Sequence, residues 1–152
     1  MQASNSSSKL ITLFPYISDQ LLRVNDQKEA LENVLEALGK TTDSDRVYFF
    51  YNMEKNGVYG TKYFAEWCKE GVNPEINNPE VSFVAWEDVR LLFDVLNLQK
   101  SVTYHVNDIT PDSKSTSQVR YILESQGILS LHLVRVYYED WFIGFVGFDS
   151  CF

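Results

Sequence analysis

Alternation of apolar and polar positions is clearest near the end of the chain. Between Ser130 and Val136 leucines alternate with Ser130 and His132, and residues 141–148 form a nearly continuous apolar run. Both segments are rich in residues that favour strands, and the polar pair Glu139 and Asp140 separates them. The pattern predicts an antiparallel hairpin. Because the second run has almost no polar face, we expect it in the middle of a sheet that is covered on both sides.

A helical period is found instead in the first third of the chain. Apolar residues recur at intervals of three or four between residues 21 and 38, beside a second row of alanine and valine. Asp26 followed by Glu29 resembles a capping box, so a helix is predicted over residues 27–38, with Gly39 near its end. The double row fits a helix that covers its own sheet, and also one that pairs with a second copy of the chain. On the second interpretation the dimer interface comprises Leu21, Leu31, Leu35 and Leu38.

The remaining elements follow in the order strand, strand, helix, strand, helix. Residues 46–51 and 58–67 are strands by composition, around a turn region at 52–57, and a long irregular stretch follows them. Helical spacing returns from Trp86 to Leu96. After a short strand at 101–106, Thr110 and Pro111 are predicted as the N-cap and first residue of a helix that stops at Gly127. The order lacks the alternation of a parallel βαβ sheet and indicates an α+β fold.

Composition and charge limit the class of protein. The 152 residues fit one folded domain, predicted at 26–152, preceded by a flexible N-terminal segment and the start of the first helix at 1–25. Thirteen basic residues against 21 acidic ones give a net charge of −8, which argues against nucleic acid or an anionic membrane as a partner. The sequence has no stretch as long as a membrane span and no signal-peptide pattern. We therefore expect a cytoplasmic protein.

The sequence offers little for catalysis or metal binding. Cys68 and Cys151 are the two cysteines, and neither has a second Cys or His at ligand spacing, so no metal site is predicted. Lys69 beside Cys68 would favour a thiolate, but Glu66 and Glu70 counteract it. No serine triad, phosphate-binding glycine loop or zinc-protease motif is present. We predict no catalytic residue.

Four segments in order carry a resemblance to a known family. They are D-R-V-Y-F-F at 45–50, E-W with G-V-N-P-E-I-N within 64–78, Q-G-I-L-S-L at 126–131 and W-F-I-G-F-V-G-F-D at 141–149. Together they resemble the GAF domain of bacterial signal-transduction proteins, over roughly residues 26–151. The last segment departs from the family pattern, since relatives have a Trp-Gly pair where this chain has Phe142, Ile143 and Gly144.

The resemblance implies both a fold and a role. The fold is GAF-like and PAS-related, with a central antiparallel sheet of five to six strands, helices on both sides and a pocket beside the long middle connection. The role is that of a non-catalytic sensory input domain in a two-component histidine kinase or a cyclic-di-GMP enzyme. Such a domain forms a homodimer through its first helix and acts on an output domain in a longer protein. The alternatives are a structural dimerisation module without a ligand and a free methionine sulfoxide reductase, which one branch of the family represents.

The resemblance does not identify the ligand, and the cofactor stays unknown. The chain lacks the Asn-Lys-x-Phe-Asp-Glu signature of cyclic-nucleotide-binding members and the Cys-His pair of bilin-binding members. Haem would need an axial ligand, for which His105 is the candidate, but a polar residue at a strand end is the alternative interpretation. An aromatic set with a few polar groups is the expected lining, although an ordinary core has the same pattern. The predicted pocket residues are Trp67, Phe83, Trp86, Phe93, Tyr104, His105 and Asp108.

Overall fold

The computed structural model describes residues 13, 15–16, 19–20 and 25–151. Residues 25–151 contain one six-stranded antiparallel sheet, in the order β3-β2-β1-β6-β5-β4, and three α-helices. The α+β class and the antiparallel sheet predicted from the sequence are confirmed. Leu21 and most of the N-terminal segment predicted to be flexible lie outside the described residues. The elements are α1 (Gln27–Thr42), β1 (Arg46–Lys55), β2 (Val58–Cys68), β3 (Phe83–Ala85), α2 (Arg90–Leu98), β4 (Ser101–His105), α3 (Lys114–Ser125), β5 (Ile128–Tyr138) and β6 (Trp141–Cys151).

The predicted C-terminal hairpin is the pair β5–β6. Strand β6 pairs with β5 along one edge and with β1 along the other, so it lies inside the sheet as its apolar composition indicated. Gly147 of β6 has a steric role. A Cβ atom there would lie 2.1 Å from Cε2 of Tyr48. The missing side chain leaves the space in which the Tyr48 ring crosses β6 to reach Asp149.

Helix α1 covers one face of the sheet, over β1 and β2. The predicted N-cap is confirmed, because the Asp26 carboxylate accepts hydrogen bonds from the backbone N–H groups of Lys28 and Glu29. The helix continues past Gly39 to Thr42. Gly39 serves close packing there, since a Cβ atom would lie 2.2 Å from the Trp67 ring.

The other face is covered by α2, α3 and the irregular connection between β2 and β3. Helix α3 begins later than predicted, at Lys114, because Ser113 and Thr116 form a capping box in which each side chain bonds the backbone N–H of the other. Thr110 therefore does not cap the helix. Strand β3 was not predicted, since three residues are too few for alternation to show.

A buried ionic group, the Arg46 cluster, joins this connection to the sheet. It comprises Arg46, Tyr48, Tyr63, Glu66 and Asp149. Arg46 is 1% exposed, and its Nη1 donates to Oδ2 of Asp149 at 3.1 Å. Its Nη2 donates to the carbonyl of Asn73 at 3.0 Å, and its Nε lies 3.8 Å from Oε2 of Glu66. One guanidinium thus contacts β2, β6 and the connection at once.

The tyrosines and Glu66 complete the Arg46 cluster. The Tyr48 hydroxyl donates to Oδ1 of Asp149 at 2.8 Å, and the Tyr63 hydroxyl donates to Oε2 of Glu66 at 2.6 Å. Glu66 also accepts the backbone N–H groups of residues 75 and 76, at 2.9 and 3.4 Å. Each buried charge therefore has partners, without which burial would cost several kcal/mol.

The leucine row of α1 packs against the sheet of its own domain. Leu35 is fully buried and packs with Val47 and Ala65 of its own sheet. Leu31 and Leu38 are partly buried against the same residues. Leu35 is therefore a core residue of its own domain, and the assignment of the row to a dimer interface stays a prediction for Leu31 and Leu38.

Replacement of Leu35 should test this packing. We expect Leu35→Glu to lower the free energy of unfolding by at least about 3 kcal/mol, because it buries a carboxylate and removes apolar contacts. Thermal denaturation followed by circular dichroism measures the effect. Lys28→Glu, on the exposed side of α1, is the control and should keep the wild-type melting temperature. A folded Leu35→Glu monomer of wild-type stability would show that Leu35 faces outward.

Protonation of Asp149 should make the stability of the domain depend on pH. Burial raises the pKa of Asp149 to about 7, although Tyr48 and Arg46 oppose the rise. An aspartate in the unfolded chain has a pKa of about 3.9, so between these values the folded state holds the extra proton. The free energy of unfolding should therefore decrease as the pH rises through this range, by up to about 1.4 kcal/mol per pH unit.

Comparison of the wild type with Asp149→Asn isolates this contribution, because the amide does not titrate. Urea unfolding measured across the range should give a stability difference that changes with pH. Asp140→Asn alters an exposed carboxylate in the β5–β6 turn, and its free energy of unfolding should change with pH as that of the wild type does. If the free energies of unfolding of the wild type and Asp149→Asn change with pH in parallel, Asp149 is not the group that causes the pH dependence.

Candidate functional site

An interior cavity lies between the sheet and the elements that cover its second face. Its volume is about 60 Å³. That is room for about two water molecules, whereas sites for drug-sized ligands measure roughly 300–1,000 Å³. Its walls come from β1, β2, β5 and β6 on one side and from α2, α3 and residues 81–89 on the other. The lining residues are Tyr48, Phe50, Thr61, Tyr63, Val81, Val84, Trp86, Val89, Leu92, Ile122, Leu123, Gln126, Leu131, Leu133 and Phe145.

The alternation of side chains along the strands determines which aromatic rings face the cavity. Along β1, Tyr48 and Phe50 face the cavity, while the alternate residues Val47 and Phe49 pack beneath α1. Phe145 of β6 stacks on Phe50, with ring centroids 5.0 Å apart and planes within 10°. The wall is therefore rigid and apolar.

Two tyrosine hydroxyls at the wall belong to the Arg46 cluster. Tyr48 donates to Asp149 and Tyr63 donates to Glu66. Burial raises the pKa of both tyrosines above the ordinary value, and the carboxylates that they contact raise it further. Both hydroxyls are thus neutral donors at physiological pH, and their protons are directed to carboxylates of the protein.

The other polar side chains of the lining are also hydrogen-bonded within the protein. Oγ1 of Thr61 donates to a carbonyl of β1 at 3.3 Å, and Nε1 of Trp86 donates to Oδ1 of Asn52 at 3.1 Å. Nε2 of Gln126 donates to the carbonyl of Ile122 at 3.0 Å. The cavity therefore offers an occupant mainly rings and methyl groups.

The structure places Trp86 in this lining and Trp67 outside it. Trp67 lies on the opposite face, against α1, so it does not line the cavity as predicted. The reason is a bulge in β2: Phe50 is opposite Tyr63 while Phe49 is opposite Ala65. The extra residue reverses the alternation after Tyr63, so that Glu66 lies on the same face as Tyr63 and Trp67 lies on the opposite face.

The other predicted pocket residues lie around the cavity or away from it. Phe93 packs against Trp86, with ring centroids 5.2 Å apart, and lines a surface groove instead. Phe83 lies under the Lys55 ammonium, and Tyr104 packs against the core from β4. His105 and Asp108 are exposed and are not lining residues, so His105 is not in place as a buried axial ligand for haem.

The sequence interpretation missed most of the wall. Tyr48, Phe50 and Phe145 follow the strand period, and that period alone would have grouped the first two on one face. The residues that β2 contributes to the wall could not be found in this way, because the amino-acid sequence gives no sign of the bulge at Phe64.

Burial disfavours the thiolate form of both cysteines. Burial raises the pKa of Cys68 to about 12, and nearby Glu66 adds to the rise. Burial likewise raises the pKa of Cys151 to about 11. Within the described part of the chain, no three His, Cys, Asp or Glu side chains are grouped so that they could hold a metal ion. No helix among the described residues has the length and apolar composition needed to cross a membrane.

Comparison with known proteins finds one curated relative. The chain is 31% identical over 144 residues to the methanogenesis regulatory histidine kinase FilI of Methanothrix harundinacea (strain 6Ac). The match covers 94% of this chain, and the chain spans 16% of the length of that kinase. No family model matches the sequence.

Solved structures with the same architecture identify the fold. The phycocyanobilin-bound GAF domain of a cyanobacterial phytochrome superposes with a TM-score of 0.66 at 15% identity, over 95% of this chain and 79% of that one. The NreA protein of Staphylococcus aureus, mutated in its nitrate binding site, superposes with a TM-score of 0.60 at 14% identity, over 82% of this chain and 85% of that one. The sheet order, the covering elements and these likenesses together show that this chain has a GAF-like fold.

Proposed function

We propose that this domain is a non-catalytic sensory input module that regulates the output domain of a longer signalling protein. The proposal is supported by the GAF fold and by the identity with a segment of a regulatory histidine kinase. The single observation that carries it is the interior cavity beside Trp86. Unfilled apolar space lowers the stability of a core, so a cavity kept at the centre of the fold is consistent with a binding role.

The ligand that we infer is small, uncharged and largely apolar. The nitrate of the NreA site is an anion and would need hydrogen-bond donors, whereas the donors around this cavity already bond protein acceptors. A phycocyanobilin, bound by the phytochrome domain, requires a far larger volume than about 60 Å³. The apolar character of the walls instead favours a small neutral molecule.

The connection between β2 and β3 is the element that we expect to respond to the ligand. It covers the cavity with Val81 and is held to the sheet through Glu66 and Arg46. A ligand regulates a protein only by binding one arrangement better than another. Pairing of two copies is part of the proposal, through a surface that excludes the buried Leu35.

Xenon is a suitable probe of the cavity because it is apolar and fits a small dry space. We expect xenon to shift the methyl resonances of Val89 and Leu133 in NMR spectra, and sodium nitrate to leave them unchanged. Leu131→Phe fills the cavity and should abolish the xenon shifts without lowering the melting temperature. Leu129→Phe is the matched control, since Leu129 lies in the same strand and is 52% exposed. Nitrate-dependent shifts at Val89, or xenon shifts that persist in Leu131→Phe, would contradict the assignment.

A reductase of free methionine sulfoxide is the alternative that the cysteines can test. Attack on the sulfoxide requires a thiolate, and the raised pKa values of Cys68 and Cys151 keep both sulfurs protonated near neutral pH. We therefore expect no turnover of methionine sulfoxide with a dithiol reductant. Turnover by the wild type that Cys68→Ser abolishes would show that the domain is an enzyme.

A further inference from the structure

A second concave site lies at the end of the sheet where the β1–β2 and β5–β6 hairpins turn. It is an open groove of about 540 Å³, within the size range of small-molecule sites. Its walls are the start of β2, the last turns of α2 and the β5–β6 hairpin. Phe93 and Phe142 line both the groove and the outer side of Trp86, so the groove is separate from the cavity but shares an aromatic wall with it.

Arg135 provides a fixed positive charge in this groove. Its Nη1 donates to the carbonyls of Leu96 and Asn97, at 3.1 and 3.0 Å, which holds the guanidinium at the C-terminal end of α2. Its Nε–H is buried and has no hydrogen-bond partner among the described residues. Because Nε is buried and Nη1 bonds α2, Nη2 is the nitrogen of this guanidinium that can donate a charge-assisted hydrogen bond to a carboxylate in the groove.

Exposed aromatic rings and two carboxylates complete the lining. Tyr59 and Tyr137 are each 47% exposed and Trp141 is 74% exposed, which is unusual for residues of this size grouped at one site. Glu139 and Asp140, in the β5–β6 turn, add negative charge at the rim. Aromatic faces beside carboxylates attract ammonium groups.

The charges of the groove select among ligand classes. Arg135 complements a carboxylate, and Glu139 and Asp140 complement an ammonium group, so a ligand that carries both charges makes more favourable contacts than one that carries a single charge. We propose that the groove binds a small zwitterion, an amino acid or a comparable amino-carboxylate. The carboxylate bonds Arg135, the ammonium group lies between the acidic turn and the aromatic faces, and the apolar body packs against Trp141.

Four probes separate the contributions of the two charges. L-phenylalanine and L-leucine carry both charges, 3-phenylpropionate carries the carboxylate alone and phenethylamine carries the ammonium alone. Titrations followed by the indole N–H resonance of Trp141 should give at least one of the two amino acids a dissociation constant about tenfold or more below those of both analogues. The proposal is overturned if neither amino acid shifts this resonance, or if an analogue binds as tightly as the amino acids.

Substitutions locate the two charges in the site. Arg135→Gln should abolish binding, and because Arg135 also holds the end of α2, a second variant leaves that contact intact. The double substitution Glu139→Gln with Asp140→Asn changes only an exposed turn and should weaken amino-acid binding to the level of 3-phenylpropionate. Glu70→Gln, an exposed carboxylate after the far end of β2, should bind as the wild type does. Wild-type affinity in the double variant would show that the turn does not contact an ammonium group.

Discussion

The buried guanidinium of Arg46 is the constraint on which the rest of this domain depends. A charge that is 1% exposed must be surrounded by acceptors, and it finds them in Asp149, in Glu66 and in the carbonyl of Asn73. These partners belong to β6, to β2 and to the irregular connection. Satisfying one buried charge therefore fixes the position of a segment that has little regular secondary structure of its own.

The same network determines the chemistry of the cavity. Tyr48 and Tyr63 line the cavity, but their hydroxyls are committed to Asp149 and Glu66. Gly147 is part of this arrangement, because only a residue without a side chain leaves room for the Tyr48 ring. Because the Arg46 cluster accepts these hydrogen bonds, the two hydroxyls are not available to an occupant of the cavity. The cavity therefore presents an apolar surface although five of its lining residues carry polar atoms: Tyr48, Thr61, Tyr63, Trp86 and Gln126.

Local patterns predicted the parts of the fold that local interactions determine. The Asp26 cap and the β5–β6 hairpin depend on residues close in sequence, and both are confirmed. The apolar row containing Leu35 has the same period whether it faces its own sheet or a second copy, so the sequence left both open, and the packing assigns Leu35 to its own sheet. The cavity wall was harder to predict because of one bulged residue, Phe64. After it, each side chain of β2 points to the face opposite the one that simple alternation predicts, so that Glu66 is on the cavity side and Trp67 is not.

The most direct test of this account is a crystal structure of the domain at a resolution that shows ordered water in the cavity between Tyr48, Thr61 and Trp86. If the protein's own acceptors engage the donors there, the cavity will be empty or will contain density for an apolar molecule. Ordered water or an anion that accepts a hydrogen bond from the Tyr48 hydroxyl, the Tyr63 hydroxyl or Nε1 of Trp86 would contradict the account. Those donors would then be available for a polar ligand.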